Sequence, residues 1–381
     1  MVASSLRADR AMTAVWRADA GYLIFPRAAP APGCASHVCD LRFTAVNRRV
    51  EVPELQSLRV LFVTGMHASL TNRQRGIMIC RMAAALGERG HEIVRCDLGG
   101  DRGVGRYLRG LPRVRRVVRE VRPDLVHVHY GLSGLALPPL HVPVIASFYG
   151  DDLYGTPLPS GSMNLRSRAG IVVSQILALR SRRCSVVAPA MVEKLWFRST
   201  RKRTIVLRDH IDARRFRPLS RDEGRRRFGI AADDQVVIFP HSAADTNKRL
   251  SLAQAAVASL QPARPRVRLW IVNGEEPDTM PWRYAAADVM IVTSRQESGP
   301  SSAKEALACG LPVVSVPVGD TLLFAEAAES VFVALPEPQA LACALESALR
   351  VAKEPRRARL PSHLYMESAV ALLEDLYASA L

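Results

Sequence analysis

Long apolar runs are missing from this chain. Nothing in its 381 residues reaches the roughly 20 consecutive apolar residues that a bilayer span requires. The longest candidate, Ala169 to Leu179, has the length of a core helix. Aromatic residues make up only 6%, and no aromatic-basic platform or reader motif for nucleic acid is present, which argues against a nucleic-acid partner. The seven cysteines are odd in number and scattered, so neither a disulfide scaffold nor a zinc site is expected; Cys34 and Cys39 flank His37 without completing a ligand set. Arg7, Asp9, Arg10, Arg17 and Asp19 interrupt the stretch where a signal peptide would be apolar. These absences together predict a cytoplasmic, reduced protein.

What is present is the composition of a globular chain, 48% apolar and 23% charged. Its length exceeds one ordinary core and suits two domains. The 52 basic residues outnumber 36 acidic ones, giving a net charge of +16 with arginine dominant. Such a balance favours anionic partners, whether nucleotides or an anionic membrane surface.

Residues 1–56 are rich in Ala, Arg and Pro without sustained periodicity, and read as a poorly ordered extension. Regular alternation begins at Arg59-Val60-Leu61-Phe62-Val63-Thr64-Gly65, a buried-strand run ending in glycine. Strand runs at 91–94, 123–129 and 143–148 follow, separated by helical stretches. A charged, aperiodic hinge spans Asp209 to Pro218, after which alternation restarts at Gln235-Val236-Val237-Ile238-Phe239. Strands that alternate with helices predict parallel sheets covered on both faces. The expected organisation is α/β: a first doubly wound domain at 57–207, a second at 208–360, and a terminal helix at 361–381. Ligands of such sheets bind beyond the carboxyl ends of the strands.

The most informative stretch is Glu297-Ser298-Gly299-Pro300-Ser301-Ser302-Ala303-Lys304-Glu305, which follows the apolar run Asp288 to Thr293. Pro300 starts a helix and Gly310 with Pro312 stops it. One glutamate thus lies in the loop and the other inside the helix. The amides of Gly299 to Ser302 at the helix N-terminus form an anion site. A carboxylate on either side of a phosphate site suits a nucleotide-sugar.

This Glu297-x7-Glu305 pattern, continued by Ala306-Leu307-Ala308-Cys309-Gly310-Leu311-Pro312-Val313-Val314, resembles family 4 of the retaining GT-B glycosyltransferases. The resemblance covers about residues 58–380 and is densest at 284–320. It implies a GT-B fold, two Rossmann-like domains facing each other across a cleft, with the terminal helix crossing back to the first domain. It implies sugar transfer, with retained anomeric configuration, from a UDP- or GDP-type donor to an acceptor hydroxyl. The acceptor would be a glycan or lipid-linked, in cell-envelope, exopolysaccharide or glycolipid assembly. A non-catalytic subunit or a sugar-nucleotide epimerase on the same fold are the alternatives.

By the same resemblance, Glu297 contacts the donor sugar and Glu305 the ribose. Lys248, Arg249 and the amides around Gly299, Ser301 and Ser302 hold the diphosphate. Gly65, Tyr149 and Asp152 line the acceptor and sugar pocket, and no metal or cofactor is expected. Three departures stand out. Pro240-His241-Ser242 replaces the family's arginine loop, Tyr149 stands where the family has histidine, and the loop glycine sits at 299 rather than directly after the first glutamate.

Other features have plainer readings. His127 and His129 alternate on one strand and are expected to be packed and hydrogen-bonded. Arg73 and Arg75, in the loop 65–76, are candidates to meet an anionic acceptor. Arg102, Arg106, Arg109, Arg113 and Arg116 recur at helical spacing, a possible basic face for a membrane surface. Gly110 and Pro112 interrupt that run, so only the part beyond Pro112 is expected to be regular.

Overall fold

A computed structural model describes residues 57–66, 76–98, 103, 105–156, 162–274, 277–328, 330–352 and 355–381. It also describes a short antiparallel pair, β1 (Val15–Arg17) with β2 (Tyr22–Ile24). The expectation for the rest of 1–56, and the candidates Arg73, Arg75 and Arg102, lie outside the described residues.

The first sheet has six parallel strands: β3 (Arg59–Thr64), β4 (Glu92–Asp97), β5 (Leu125–His129), β6 (Val144–Phe148), β7 (Arg183–Val186) and β8 (Thr204–Val206), in the order β4-β3-β5-β6-β7-β8. Its central strands are apolar and buried on both faces because helices cover both sides. On one face lie α1 (Ile77–Glu88) and, from the far end of the chain, α13 (Met366–Ala378). On the other lie α2 (Gly105–Val121) and, past the short α3 (Asp151–Tyr154), α4 (Leu165–Arg180). The turns α5 (Pro189–Val192) and α6 (Arg198–Lys202) link β7 to β8.

Helix α2 differs from the sequence expectation: it runs unbroken through Pro112. Gly110 serves close packing within the helix, since a Cβ there would lie 2.7 Å from Leu98 Cδ2. Pro112 removes a bond to the carbonyl of Leu108, a residue on the exposed side where water can substitute.

The second sheet is also all parallel. It contains β9 (Gln235–Phe239), β10 (Val267–Ile271), β11 (Val289–Val292), β12 (Val313–Ser315) and β13 (Val331–Val333), ordered β10-β9-β11-β12-β13. Its helices are α7 (Arg221–Phe228), α8 (Leu250–Leu260), α9 (Met280–Ala286), α10 (Ser301–Ala308), α11 (Thr321–Ala327) and α12 (Pro338–Val351). A separate apolar cluster, from Ile211 to Leu364, fills this half.

Two crossings join the halves. Ile211 pairs with Tyr365, through Ile211 N to Leu364 O (2.9 Å) and Met366 N to Ile211 O (3.0 Å). Beyond that bridge, α13 buries Val370, Leu373 and Tyr377 against Val60 and Phe62 of β3. Each such side chain contributes about 1.5–3 kcal/mol of burial, which fixes the chain end to the first sheet. No helix among the described residues is long and apolar enough to cross a membrane.

Candidate functional site

Strand order locates the clefts. In the second sheet the order reverses between β9 and β11, so a crevice opens at their carboxyl ends. The loops leaving these strands carry Lys248 and Glu297. After β9, Asp245 caps the turn Thr246–Lys248 by accepting from Asn247 N (3.0 Å). The two loops are braced by Thr293 Oγ1 to Lys248 O (2.7 Å), Asn247 Nδ2 to Gln296 O (2.9 Å) and Arg295 N to Asn247 O (2.8 Å). The brace brings Lys248 Nζ into direct contact with Glu297 Oε1, both side chains largely withdrawn from solvent.

Arg249 goes elsewhere. It sits in the left-handed region at φ 50°, and its guanidinium donates to Thr293 O (2.5 Å) and Ser294 O (3.1 Å). The side chain clamps the end of β11, leaving Lys248 as the cation facing Glu297.

A buried ion pair underlies the Glu297 loop. Lys304 Nζ lies 2.7 Å from Asp320 Oδ2, and both side chains are essentially inaccessible. Gly299 rests on this pair: a Cβ there would lie 2.9 Å from both Lys304 Nζ and Asp320 Oδ1. Gly319, at φ 59°, passes directly beneath Ser298 O.

The first half reaches this loop at Gly150, whose missing Cβ would lie 2.3 Å from Ser298 Oγ. Tyr149, Asp151 and Asp152 therefore stand beside Glu297's loop, but they face differently. Asp152 is turned inward: its carboxylate accepts from Tyr149 N (3.0 Å), Gly150 N (2.9 Å) and Gly131 N (3.2 Å). Burial pushes its pKa up to about 6, against the pull of those amides. It shapes the loop rather than lining the pocket. Asp151 remains at the loop surface, its pKa raised by desolvation and then by Glu297 and Asp245. No group of His, Cys, Asp and Glu among the described residues converges as a metal-ligand set.

Tyr149 turns toward the interior, its hydroxyl hydrogen-bonded to His129 Nδ1 (2.7 Å), and burial raises its pKa. His129 stacks on His127 at 4.1 Å, and His127 bonds Tyr377 (2.8 Å) and Ser147 (2.7 Å). Both histidines are packed and neutral; burial lowers His127 to about 3. Gly65 is buried as well. A Cβ there would lie 2.4 Å from Tyr107 Cε1, and its amide donates to Ser133 Oγ (3.1 Å).

Helix α10 supplies the remainder. Its internal hydrogen bonds begin at Ala303, so the amides of Ser301 and Ser302 precede them at the positive end of the dipole. Ser301 Oγ donates to Asp209 of the hinge (2.7 Å). Glu305 is held by two residues outside the sequence motif: Tyr284 donates to Oε2 (3.2 Å), and Arg81 of α1 lies 3.4 Å from Oε1. Burial raises the Glu305 pKa, while Arg81 and Tyr284 counter it. The one signal for Arg81 is its isolation, a single charge among Ile77-Met78-Ile79-Cys80 and Met82-Ala83-Ala84-Ala85-Leu86.

The family model described as Glycosyltransferase Family 4 matches residues 58–215, and the one described as Glycosyl transferases group 1 matches residues 273–360. A D-inositol 3-phosphate glycosyltransferase from Thermobispora bispora is 25% identical over 270 residues, 60% of this chain and 62% of that protein. The chain thus spans less than two thirds of that relative. Among solved structures, sucrose-phosphate synthase from Thermosynechococcus elongatus superposes with a TM-score of 0.66 at 17% identity, over 84% of this chain and 98% of that one. HepE from Anabaena, in complex with UDP and glucose, gives a TM-score of 0.60 at 16% identity, over 84% and 100%. Two facing parallel sheets of this order, matched by both family models, make this chain a member of the family 4, group 1 glycosyltransferases with the GT-B fold.

Proposed function

We propose that this protein is a retaining glycosyltransferase that moves a sugar from a UDP- or GDP-type donor to the hydroxyl of a glycan or lipid-linked acceptor in envelope or exopolysaccharide assembly. The observation that carries the reading is the Lys248–Glu297 pair at the second sheet's switch point, beside the N-terminus of α10. In this reading Lys248 and the Ser301 and Ser302 amides bind the diphosphate, Glu305 takes the ribose hydroxyls, and Glu297 orients the donor sugar. Arg249 and Gly299 keep the two loops in place. The UDP-bound HepE neighbour is consistent with a uridine donor.

The chemistry follows from charge. As the anomeric carbon–oxygen bond breaks, negative charge builds on the leaving diphosphate, and Lys248 with the helix amides stabilises it. The acceptor oxygen attacks the same face, and its proton passes to the departing phosphate oxygen. That route needs no covalent nucleophile. Closing the cleft excludes the water that would hydrolyse the donor.

The test is a thermal shift with UDP, GDP and ADP on the wild type, Lys248→Ala and Glu305→Ala. A nucleotide at 100 times its dissociation constant adds about 2.7 kcal/mol. A shift with one base, lost in both variants, supports the reading. A folded protein that no nucleotide stabilises favours the non-catalytic alternative.

A further inference from the structure

Helix α4 is inverted. Toward the first sheet it buries Ser174, Gln175, Leu177 and Ala178, a largely small and polar set. Its large apolar side chains face outward: Leu165 is 81% exposed, Val172 42%, Ile176 50% and Leu179 43%. At 100° per residue these four fall within an arc of about 60°. A surface helix ordinarily does the opposite. Arg168 and Arg180, both exposed, lie at the two margins of the arc. Trp196 and Phe197 are exposed beside the helix, where Gln175 ties them by accepting from Trp196 N (2.9 Å) and donating to Lys194 O (3.0 Å). A contiguous apolar patch rimmed by charge marks an interaction surface.

Charge selects what covers it. Residues 162–192 include five arginines and no Asp or Glu. At the end of α4 a groove of about 790 Å³ is lined by Arg180, Arg182, Arg183 and Arg203. Across the segment Pro138–Val142 a second groove, about 540 Å³, carries Arg115, Arg119 and Arg122 from the α2 side. Helices α2 and α4 share one face of the sheet, and α2 adds exposed Leu108 and Leu111 among its arginines. A second copy of this chain would set arginine against arginine in a two-fold contact, which is repulsive.

We propose that this face docks on an anionic lipid bilayer. The α4 stripe with Trp196 and Phe197 enters the acyl-chain boundary, and the arginines of α2 and α4 sit at the lipid phosphates. The stripe begins beside the cleft. Gly155, which ends α3, packs against Met163 and Ser167 at the start of α4. A lipid-linked acceptor would therefore emerge close to Tyr149 and Ser298. The docking deepens the acceptor side of the proposed function and rests on it for its purpose; the binding itself is tested separately.

The experiment is flotation of the full chain with phosphatidylcholine vesicles, with and without phosphatidylglycerol, alongside gel filtration and the UDP thermal shift. Expected is binding to the anionic vesicles alone, weakened by salt, and lowered about tenfold or more in Val172→Asp/Ile176→Asp. That variant should keep the wild-type nucleotide shift, which also shows that it is folded. Arg180→Glu/Arg182→Glu should lose binding as well. Failure of folded wild type to bind anionic vesicles overturns the docking, as does undiminished binding by the aspartate variant. A dimer that Ile176→Asp splits identifies a second copy as the occupant and overturns it too. Vesicle binding without any nucleotide shift would sink the glycosyltransferase reading and leave the docking standing.

Discussion

Arg81 and Glu305 meet across the cleft, Nη1 to Oε1 at 3.4 Å, although 224 residues separate them. One belongs to a helix on the first sheet and the other to α10 on the second. Tyr284 holds the other oxygen of the same carboxylate, and the Arg81 guanidinium also lies over the Phe216 ring at 5.1 Å. The upward push of burial on the carboxyl proposed to grip the donor ribose is thus opposed from the other half of the protein.

Arg81→Ala should therefore act through the charge of Glu305. Burial already raises that carboxyl, and Arg81 is the largest force opposing it. Removing Arg81 raises the pKa further, so the ionised form persists only at higher pH. UDP affinity, measured calorimetrically from pH 5 to 8, should lose its acid-side half at a higher pH in the variant. An unchanged pH profile would show that Glu305 does not meet the nucleotide.

The Lys304–Asp320 pair makes a prediction about stability. Lys304→Met leaves the buried Asp320 with only Arg208, 3.9 Å away, as a cation, a change that costs up to about 3–5 kcal/mol. The double variant Lys304→Met/Asp320→Asn removes both charges and should recover much of the loss. Differential scanning fluorimetry reads the difference directly, at roughly 2–4 °C per kcal/mol. Equal melting temperatures for the single variant and wild type would remove the pair from any structural role.

Much of this arrangement is legible in the sequence, for identifiable reasons. The runs forming β3, β5, β6, β9, β11 and β12 are continuous and apolar because parallel strands are buried on both faces. Pro300 and Gly310 punctuate α10, where Gly310 takes φ 77°. Strand β7, Arg-Cys-Ser-Val, carries no such signal, because its burial comes from neighbours rather than composition. The helix through Pro112 was hidden because Gly110 reads as a breaker while its function is close packing against Leu98. Inside the site, Glu297 and Lys248 stand on loops whose strands the sequence marks. Arg81, Tyr284 and Asp320 reach the site through contacts far along the chain, which no local pattern encodes.

His127 sets part of the acid limit of stability. Its folded pKa, about 3, lies below the unfolded value of about 6.5. A depressed pKa contributes stability that is present above the unfolded value and is lost as pH falls toward the folded one. His127→Gln keeps groups able to bond Tyr377 and Ser147 but does not titrate. Between pH 7 and 5 the wild type should lose about 2 kcal/mol more than this variant in urea unfolding. Parallel losses in the two proteins would mean that His127 carries no such linkage.

Lys248 and Glu297 should separate binding from turnover. The ammonium of Lys248 contacts the Glu297 carboxylate. Glu297→Gln releases that charge for the diphosphate, so UDP affinity should hold or tighten, while sugar transfer falls because the donor sugar loses its carboxylate. Lys248→Ala removes the cation that stabilises the leaving group. Turnover should drop about 10²–10³-fold, the range for loss of one preorganised donor at a developing charge, and UDP affinity should weaken with it. Calorimetry with UDP and initial rates with the donor distinguish the two variants. Weaker UDP binding in Glu297→Gln would place that carboxylate on the nucleotide side of the site and reverse its proposed role.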